Sequence, residues 1–254
     1  DSLAGPLLVR VFPSRKKSAP EKAPRSALII RPGGIGDAVL LVPALRALQA
    51  AYPACRIDIL AERRNAAAFQ FCPGLNAVRC YDEPGELRAV LKNSYDLVID
   101  TEQWYRLSAL VSRLVRARRS IGFATNERKR LFTDAVPYDM QEYEAFSFFR
   151  LLAPLGVEAP TGLAVPFLEL PDAARETAAR LLARLGDRSF AAIFPGASVP
   201  RKEWGGAKFR QVAASVALAG HATVVVGGKE DEDVADAIAR ATGAVNLAGQ
   251  TSLV

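Results

Sequence analysis

Short aliphatic runs alternate along the chain with longer segments whose apolar positions recur every three to four residues. Strand-length runs fall at 27–31, 56–61, 77–81, 96–100 and 120–123, rich in Val, Ile and Leu and bounded by polar or turn residues. Between them the spacing is helical. Val39, Val42, Leu45 and Leu48 share one face of a helix predicted over 37–51, which stops before Pro53. Leu107, Leu110, Val111, Leu114 and Val115 predict another over 105–117, and a longer helical region follows at 141–155. Strand and helix alternating in this order predict a parallel sheet with helices on both faces.

The stretch "GVEAPTGLAVPFLEL", with Pro160, Gly162 and Pro166 as punctuation, reads as a hinge. The pattern restarts after it: helix 172–185, strand 190–194, helix 207–219, strand 222–226, helix 231–241, strand 244–247. The expected organisation is a tail over 1–26, an α/β domain over 27–160, and a second α/β unit over 161–254. That second unit has about half the usual size of a doubly wound domain. No short-period repeat is present.

The chain has 254 residues, half of them hydrophobic, with a net charge of +6. That is ample for a buried core and excludes wholesale disorder. Residues 1–26 carry Arg10, Arg15, Lys16, Lys17, Lys22 and Arg25 against Asp1 and Glu21, so much of the excess charge is local. The body is close to neutral, which argues against nucleic-acid binding. The Pro- and Lys-rich part of the tail is expected to be extended. Its short apolar piece is expected either to rest on an anionic membrane surface or to pack on the body. A second basic cluster, Arg113, Arg116, Arg118, Arg119, Arg128, Lys129 and Arg130, reads as a solvated helix face or a surface for an anionic partner. Three cysteines, Cys55, Cys72 and Cys80, form no CxxC, so a disulfide framework and a zinc site are not expected and a reducing compartment is. No run is apolar over enough residues to span a bilayer.

Candidate chemistry begins at "RPGGIGDAV", a strand end, a glycine turn and a helix start. No Lys-Ser/Thr follows the glycines, so this is not a nucleotide P-loop. Gly34 and Gly36 supply half of a dinucleotide fingerprint. The third position is Val39, and Glu62 at the end of the second strand is a candidate for a ribose. In the remaining reading Asp37 is the working residue. An acid in the first turn of a helix is stabilised by free N–H groups and the macrodipole, and serves as a cap. The same ionised carboxylate at the rim of a parallel sheet can accept a proton from a substrate hydroxyl. The two roles are compatible.

The second unit has a counterpart, "IFPGASVPRKEWGGAKF". A strand runs into Pro195-Gly196, then Ser198, Arg201, Lys202 and Trp204. Ser198 and backbone N–H groups suit phosphate oxygens, with Lys202 as a point charge on them. One strand later "VVVGGKEDEDV" places Lys229, Glu230 and Asp231 after Gly227-Gly228, with an acid available to a ribose or simply to the helix N-terminus. The single histidine, His221, fits a loop or strand edge. There is no GxSxG, HExxH or acidic metal cluster.

Taken together, "LIIRPGGIGDAVLLVPALRAL", "FPGASVPRKEW" and "VVVGGKEDEDVADAI" followed by "NLAGQTSL" resemble glycosyltransferase family 9, the ADP-heptose:lipopolysaccharide heptosyltransferases. The resemblance covers about 27–254. It implies a GT-B fold of two Rossmann-like parallel-sheet domains, the first for the acceptor and the second for the nucleotide-sugar. It implies an inverting, metal-independent transfer without a cofactor, from an ADP-sugar to a lipid-linked lipopolysaccharide core acceptor, in the cytoplasm at the inner face of the inner membrane. By the same resemblance Asp37 is the general base in a loop with Gly34 and Gly36. Gly196, Ser198 and Lys202 lie at the donor phosphates, and Asp231 at the ribose. Ala197 stands where some members carry a hydroxyl. The family's Asp-Ser-Gly-x-x-His motif would fall beyond Val254, so the donor domain is expected to be incomplete in these 254 residues.

Overall fold

The computed structural model describes residues 5–15, 23–197 and 199–252. The chain divides into two compact units, residues 1–169 and 170–254.

The first unit is built on six strands: β1 (Ser26–Arg31), β2 (Arg56–Ala61), β3 (Ala77–Cys80), β4 (Ser94–Asp100), β5 (Arg116–Phe123) and β6 (Asp134–Val136). They lie in the order β3-β2-β1-β4-β5-β6, every pair parallel. The order reverses between β1 and β4, and in such sheets the ligand crevice lies outside the carboxyl ends at that point. Its helices are α1 (Gly5–Val11), α2 (Ile35–Ala51), α3 (Arg63–Ala66), α4 (Glu86–Lys92), α5 (Arg106–Leu114) and α6 (Glu144–Arg150).

The apolar runs are continuous because both sheet faces are covered. On one face Ala27 and Ile29 of β1 meet Leu41, Val42, Leu45 and Leu48 of α2 and Phe148 of α6. On the other, Leu28 and Ile30 meet Val90 of α4, with Leu87 and Val111 packed alongside. Each such large aliphatic side chain contributes roughly 1.5–3 kcal/mol by leaving water.

Several boundaries differ from those expected. The helix predicted over 105–117 stops at Leu114. Val115 is extended (φ −63°, ψ 134°), and β5 starts at Arg116, paired with Ser94. Arg116, Arg118 and Arg119 therefore sit on a strand rather than a helix face. Ladder hydrogen bonds to β4 decide this, because arginine stems suit either element. The region 141–155 holds only α6 and a short turn, Ala153–Leu155, around Pro154. The three-residue β6 was too short to register as a pattern. In the tail, the short apolar piece forms α1. Its Val9 is fully buried against Ala109, Leu110, Leu131 and Phe132, so this piece packs on the body. Residues 16–22 lie outside the described residues. Residues 161–169 group with the first unit, where Arg46 donates to Phe167 O (3.0 Å) and pairs with Glu169 (3.3 Å).

The second unit has three parallel strands, β7 (Phe190–Ile193), β8 (Ala222–Val225) and β9 (Val245–Asn246), in that order. Helices α7 (Asp172–Leu182), α8 (Gly206–Leu218) and α9 (Glu232–Thr242) accompany them. Its cores are small: Ile193, Ala213, Val225, Ala235, Ile238 and Ala248 in one, and Leu185, Ala222, Val224 and Leu247 in the other. Among the described residues no helix is long and apolar enough to cross a membrane.

Candidate active site

β1 delivers the chain to its carboxyl edge at Arg31, which is almost completely buried. The next residues must turn sharply to start α2. Gly33 does this at φ +95°, a left-handed conformation that strains any residue with a Cβ. Gly34 is the N-cap of α2 (φ −70°, ψ 153°), and no side chain caps the helix. Asp37 lies in the first turn and makes no cap hydrogen bond, so the cap half of its expected role is not realised. It keeps the favourable interaction with the helix dipole. Its side chain is 43% exposed. A Cβ at Gly36 would meet nothing within 4 Å, so protein packing does not require glycine there.

What orients Asp37 is Arg31. Arg31 donates from Nε to Pro32 O (2.6 Å), from Nη1 to Thr101 O (3.0 Å) and from Nη2 to Glu102 Oε2 (3.2 Å). The same Nη2 lies 3.8 Å from Asp37 Oδ2, and the guanidinium stands over the Phe148 ring at 5.8 Å. One buried cation is thus shared by two carboxylates. Glu102 is fixed in turn, since its Oε1 accepts from Trp104 N (3.0 Å) and its carbonyl accepts from Arg128. Arg128, fully buried, pairs with the fully buried Asp100. Burial pushes the Asp100 carboxyl above its ordinary pKa, against the pull of Arg128. A buried pair of this kind is costly to break, because either partner alone is an uncompensated charge.

The glycine turn is braced from the other side. Asn65, fully buried, donates to Arg31 O and Gly33 O, both at 3.1 Å. Glu62 accepts from Gly33 N–H (3.0 Å) and from the Tyr81 hydroxyl, and pairs with Arg64. Burial raises the Glu62 pKa, but Tyr81, the Gly33 N–H and Arg64 together outweigh it and leave the carboxyl below its ordinary value. The side chain considered above for a ribose is therefore engaged in holding the turn. A cavity of about 340 Å³ lies beside it, walled by Ile30, Leu60, Leu87, Leu107 and Val111. At the same sheet edge the half-exposed Trp104 packs edge-on against Tyr138 at 5.9 Å.

In the second unit β7 runs into Gly196 and β8 into Gly227-Gly228. Asp231 joins them. Its Oδ2 accepts from Gly228 N (2.9 Å), and a Cβ on Gly196 would fall 2.0 Å from Oδ1, on Gly227 2.5 Å from Oδ2. Both glycines are required by this buried carboxylate. Lys202 ends a short turn, Pro200–Lys202, and is exposed. Trp204 packs edge-on against Phe209 at 5.3 Å, with Lys208 Nζ 5.5 Å from its ring centre. Ser198 lies outside the described residues. His221 precedes β8 and bonds Ser189 Oγ through Nδ1 (2.6 Å), at the strand edge where it was expected.

Four residues escaped sequence reasoning: Arg31, Asn65, Glu102 and Trp104. Arg31 and Glu102 could have been suspected as charged residues directly after apolar strands. Asn65 and Trp104 carry no local signal.

The family model for glycosyltransferase family 9 (heptosyltransferase) matches residues 86–254. Lipopolysaccharide heptosyltransferase 3 of Escherichia coli is 26% identical over 219 residues, covering 79% of this chain and 63% of its own length. Lipooligosaccharide heptosyltransferase 2 of Haemophilus ducreyi is 26% identical over 253 residues, covering 89% and 72%. The chain thus spans less than two thirds of the first and somewhat more of the second. Among solved structures, E. coli ADP-heptose lps heptosyltransferase II superposes with a TM-score of 0.71 at 22% identity, covering 90% of this chain and 74% of that one. E. coli heptosyltransferase WaaC with ADP gives 0.72 at 18%, covering 90% and 75%. These likenesses show a GT-B-type α/β fold, in keeping with the two parallel sheets. By the match of its family model, the chain belongs to glycosyltransferase family 9.

Proposed function

We propose that the protein is an inverting, metal-independent glycosyltransferase that moves a heptose from an ADP-sugar to a lipopolysaccharide core acceptor. The single observation that carries this reading is the half-exposed Asp37 carboxylate at the carboxyl edge of the six-stranded sheet, aimed by a buried arginine. The names of its relatives support the substrate class, as lipopolysaccharide and lipooligosaccharide heptosyltransferases. So do the solved relatives with ADP and with ADP-2-deoxy-2-fluoro heptose.

In this reading an acceptor hydroxyl oxygen attacks the anomeric carbon and the bond from that carbon to the β-phosphate oxygen breaks. The hydroxyl proton passes to Asp37, and the bonding electrons leave with ADP. Asp37 raises the nucleophilicity of the hydroxyl. Lys202, the N–H groups beyond Gly196, and Ser198 offset the charge that accumulates on the departing diphosphate. Asp231 faces the ribose with the oxygen not engaged by Gly228. Gly34 and Gly36 leave room for the acceptor to reach Asp37. A lipid-linked acceptor places the enzyme in the cytoplasm, in peripheral contact with the inner face of the inner membrane.

Calorimetric titration of this chain with ADP, ADP-heptose and NAD tests the reading. Binding of ADP and ADP-heptose but not NAD is expected, and transfer is expected to survive EDTA. NAD binding without ADP-heptose binding would identify a dinucleotide-binding protein instead. No response to any of the three, repeated with a chain of the relatives' full length, would identify a non-catalytic module.

A further inference from the structure

A second cavity lies at the opposite end of the six-stranded sheet. It is open, about 500 Å³ in volume, and lined by the first residues of three strands: Ser26 of β1, Ser94 to Asp96 of β4 and Arg116 to Arg118 of β5. Arg15 and Arg113 complete it. β1 alone separates this amino edge from the Asp37 edge by about 16 Å at ~3.3 Å per residue.

The cavity holds four guanidinium groups and one carboxylate, Asp96. That carboxylate is already engaged. It accepts from Arg25 N (2.9 Å), Ser26 N (3.2 Å) and Ser26 Oγ (3.3 Å), and pairs loosely with Arg118 at 3.7 Å. Two of these residues are anchored by contacts outside the cavity. Arg15 is tied through its backbone N–H to Arg130 O (2.9 Å), and Arg113 stands over the Phe12 ring at 5.7 Å. Arg15 Nη1 and Arg113 Nε are buried with no hydrogen-bond partner among the described residues. Burial, and then the charge of Arg113, lower the pKa of Arg15. Such an arrangement is unfavourable by itself and is relieved by an anion. Arginine forks match phosphate oxygens in pairs, so the chemistry of the lining selects a phosphate group.

We propose that the cavity formed by Arg15, Arg113, Arg116 and Arg118 at the amino edge of the first sheet binds a phosphate-bearing anion, at a site separate from that of the transferred sugar's donor. A soluble phosphate compound and an anionic lipid headgroup share this chemistry. The inference stands independently of the proposed transferase activity.

The full chain and an Arg113→Gln/Arg116→Gln variant are titrated with inorganic phosphate by calorimetry, in the presence of saturating ADP to occupy any donor site. Both are also sedimented with phosphatidylcholine vesicles with and without phosphatidylglycerol. An Arg116→Gln/Arg118→Gln variant, altered only at exposed strand positions, guards against misfolding of the first. Each lost contact is expected to weaken binding about tenfold, equivalent to ~1.4 kcal/mol. Phosphate binding that falls in both variants supports the site and assigns a soluble ligand. Phosphatidylglycerol-dependent sedimentation that falls in both supports the site and assigns a lipid headgroup. Wild-type protein that binds neither probe, or variants that match it in both assays, would overturn the proposal.

Discussion

The two units solve the same local problem, a strand running into glycines and then a helix, in opposite ways. In the first unit the side chain proposed for chemistry is fixed by a charge network that is nearly all buried. Asp37 leans on Arg31, Arg31 on Glu102, and the Glu102 carbonyl on the Arg128–Asp100 pair. In the second unit Asp231 is, among the described residues, the one buried charge near the loops, and one of its oxygens closes the loops themselves. Lys202 projects into solvent from a three-residue turn. The helices differ in the same sense. α2 buries six side chains, whereas among the described residues α7 buries none and α8 only Ala213. A proton acceptor gains from being held in one geometry before substrate arrives. A lysine on a flexible stem can organise around a diphosphate as it binds.

The contrast can be broken first at its stiffest point. Arg128→Met should leave Asp100 buried and unpaired, lowering stability by about 3–5 kcal/mol in urea unfolding. A loss of less than ~1 kcal/mol, within the ordinary range for surface changes, would mean the network is not rigid. In the second unit, Lys202→Ala should cut transfer about a hundredfold, the scale of one lost transition-state donor. Its unfolding midpoint should stay within ~0.5 kcal/mol of wild type. The glycines offer a sharper version of the same comparison. Gly196→Ala forces a Cβ onto Asp231 and should cost about 1–3 kcal/mol by overpacking. Gly36→Ala meets open space in a helix and should be neutral or stabilising by up to ~1 kcal/mol.

The smallest effect concerns Glu62. Its folded pKa is depressed, so its contribution to stability is fully present above its ordinary value of 4.5 and is lost as pH falls from there through the lower folded value. Glu62→Gln should therefore lower the unfolding midpoint slightly near neutrality and converge on wild type at low pH, which flattens the acid limb. An unchanged acid limb would show that the brace on Gly33 carries no charge dependence.

Much of the first sheet could be read from the chain because β1, β2 and β4 are buried on both faces and write themselves as short, mostly aliphatic runs. Asp37 was visible because it is the first acid after a glycine turn. Its partner network was not, since Arg31 meets Glu102 across 71 positions and no periodicity connects them. Asp231 was legible as an acid after two glycines. Its contact with Gly196 depends on β7 and β8 lying side by side, which only the fold decides. The strand expected at 120–123 lies within β5, but its start at Arg116 is not legible because an arginine run satisfies helix and strand patterns alike, and pairing with β4 settles it.

The most direct measurement is the rate of heptose transfer by Asp37→Asn, taken with the ADP affinity and unfolding midpoint of the same preparation. Transfer should fall about 10²–10⁴-fold, the usual range for a lost general base, while ADP binding and stability hold. An Asn variant that still transfers within a fewfold of wild type would contradict the role assigned to Asp37.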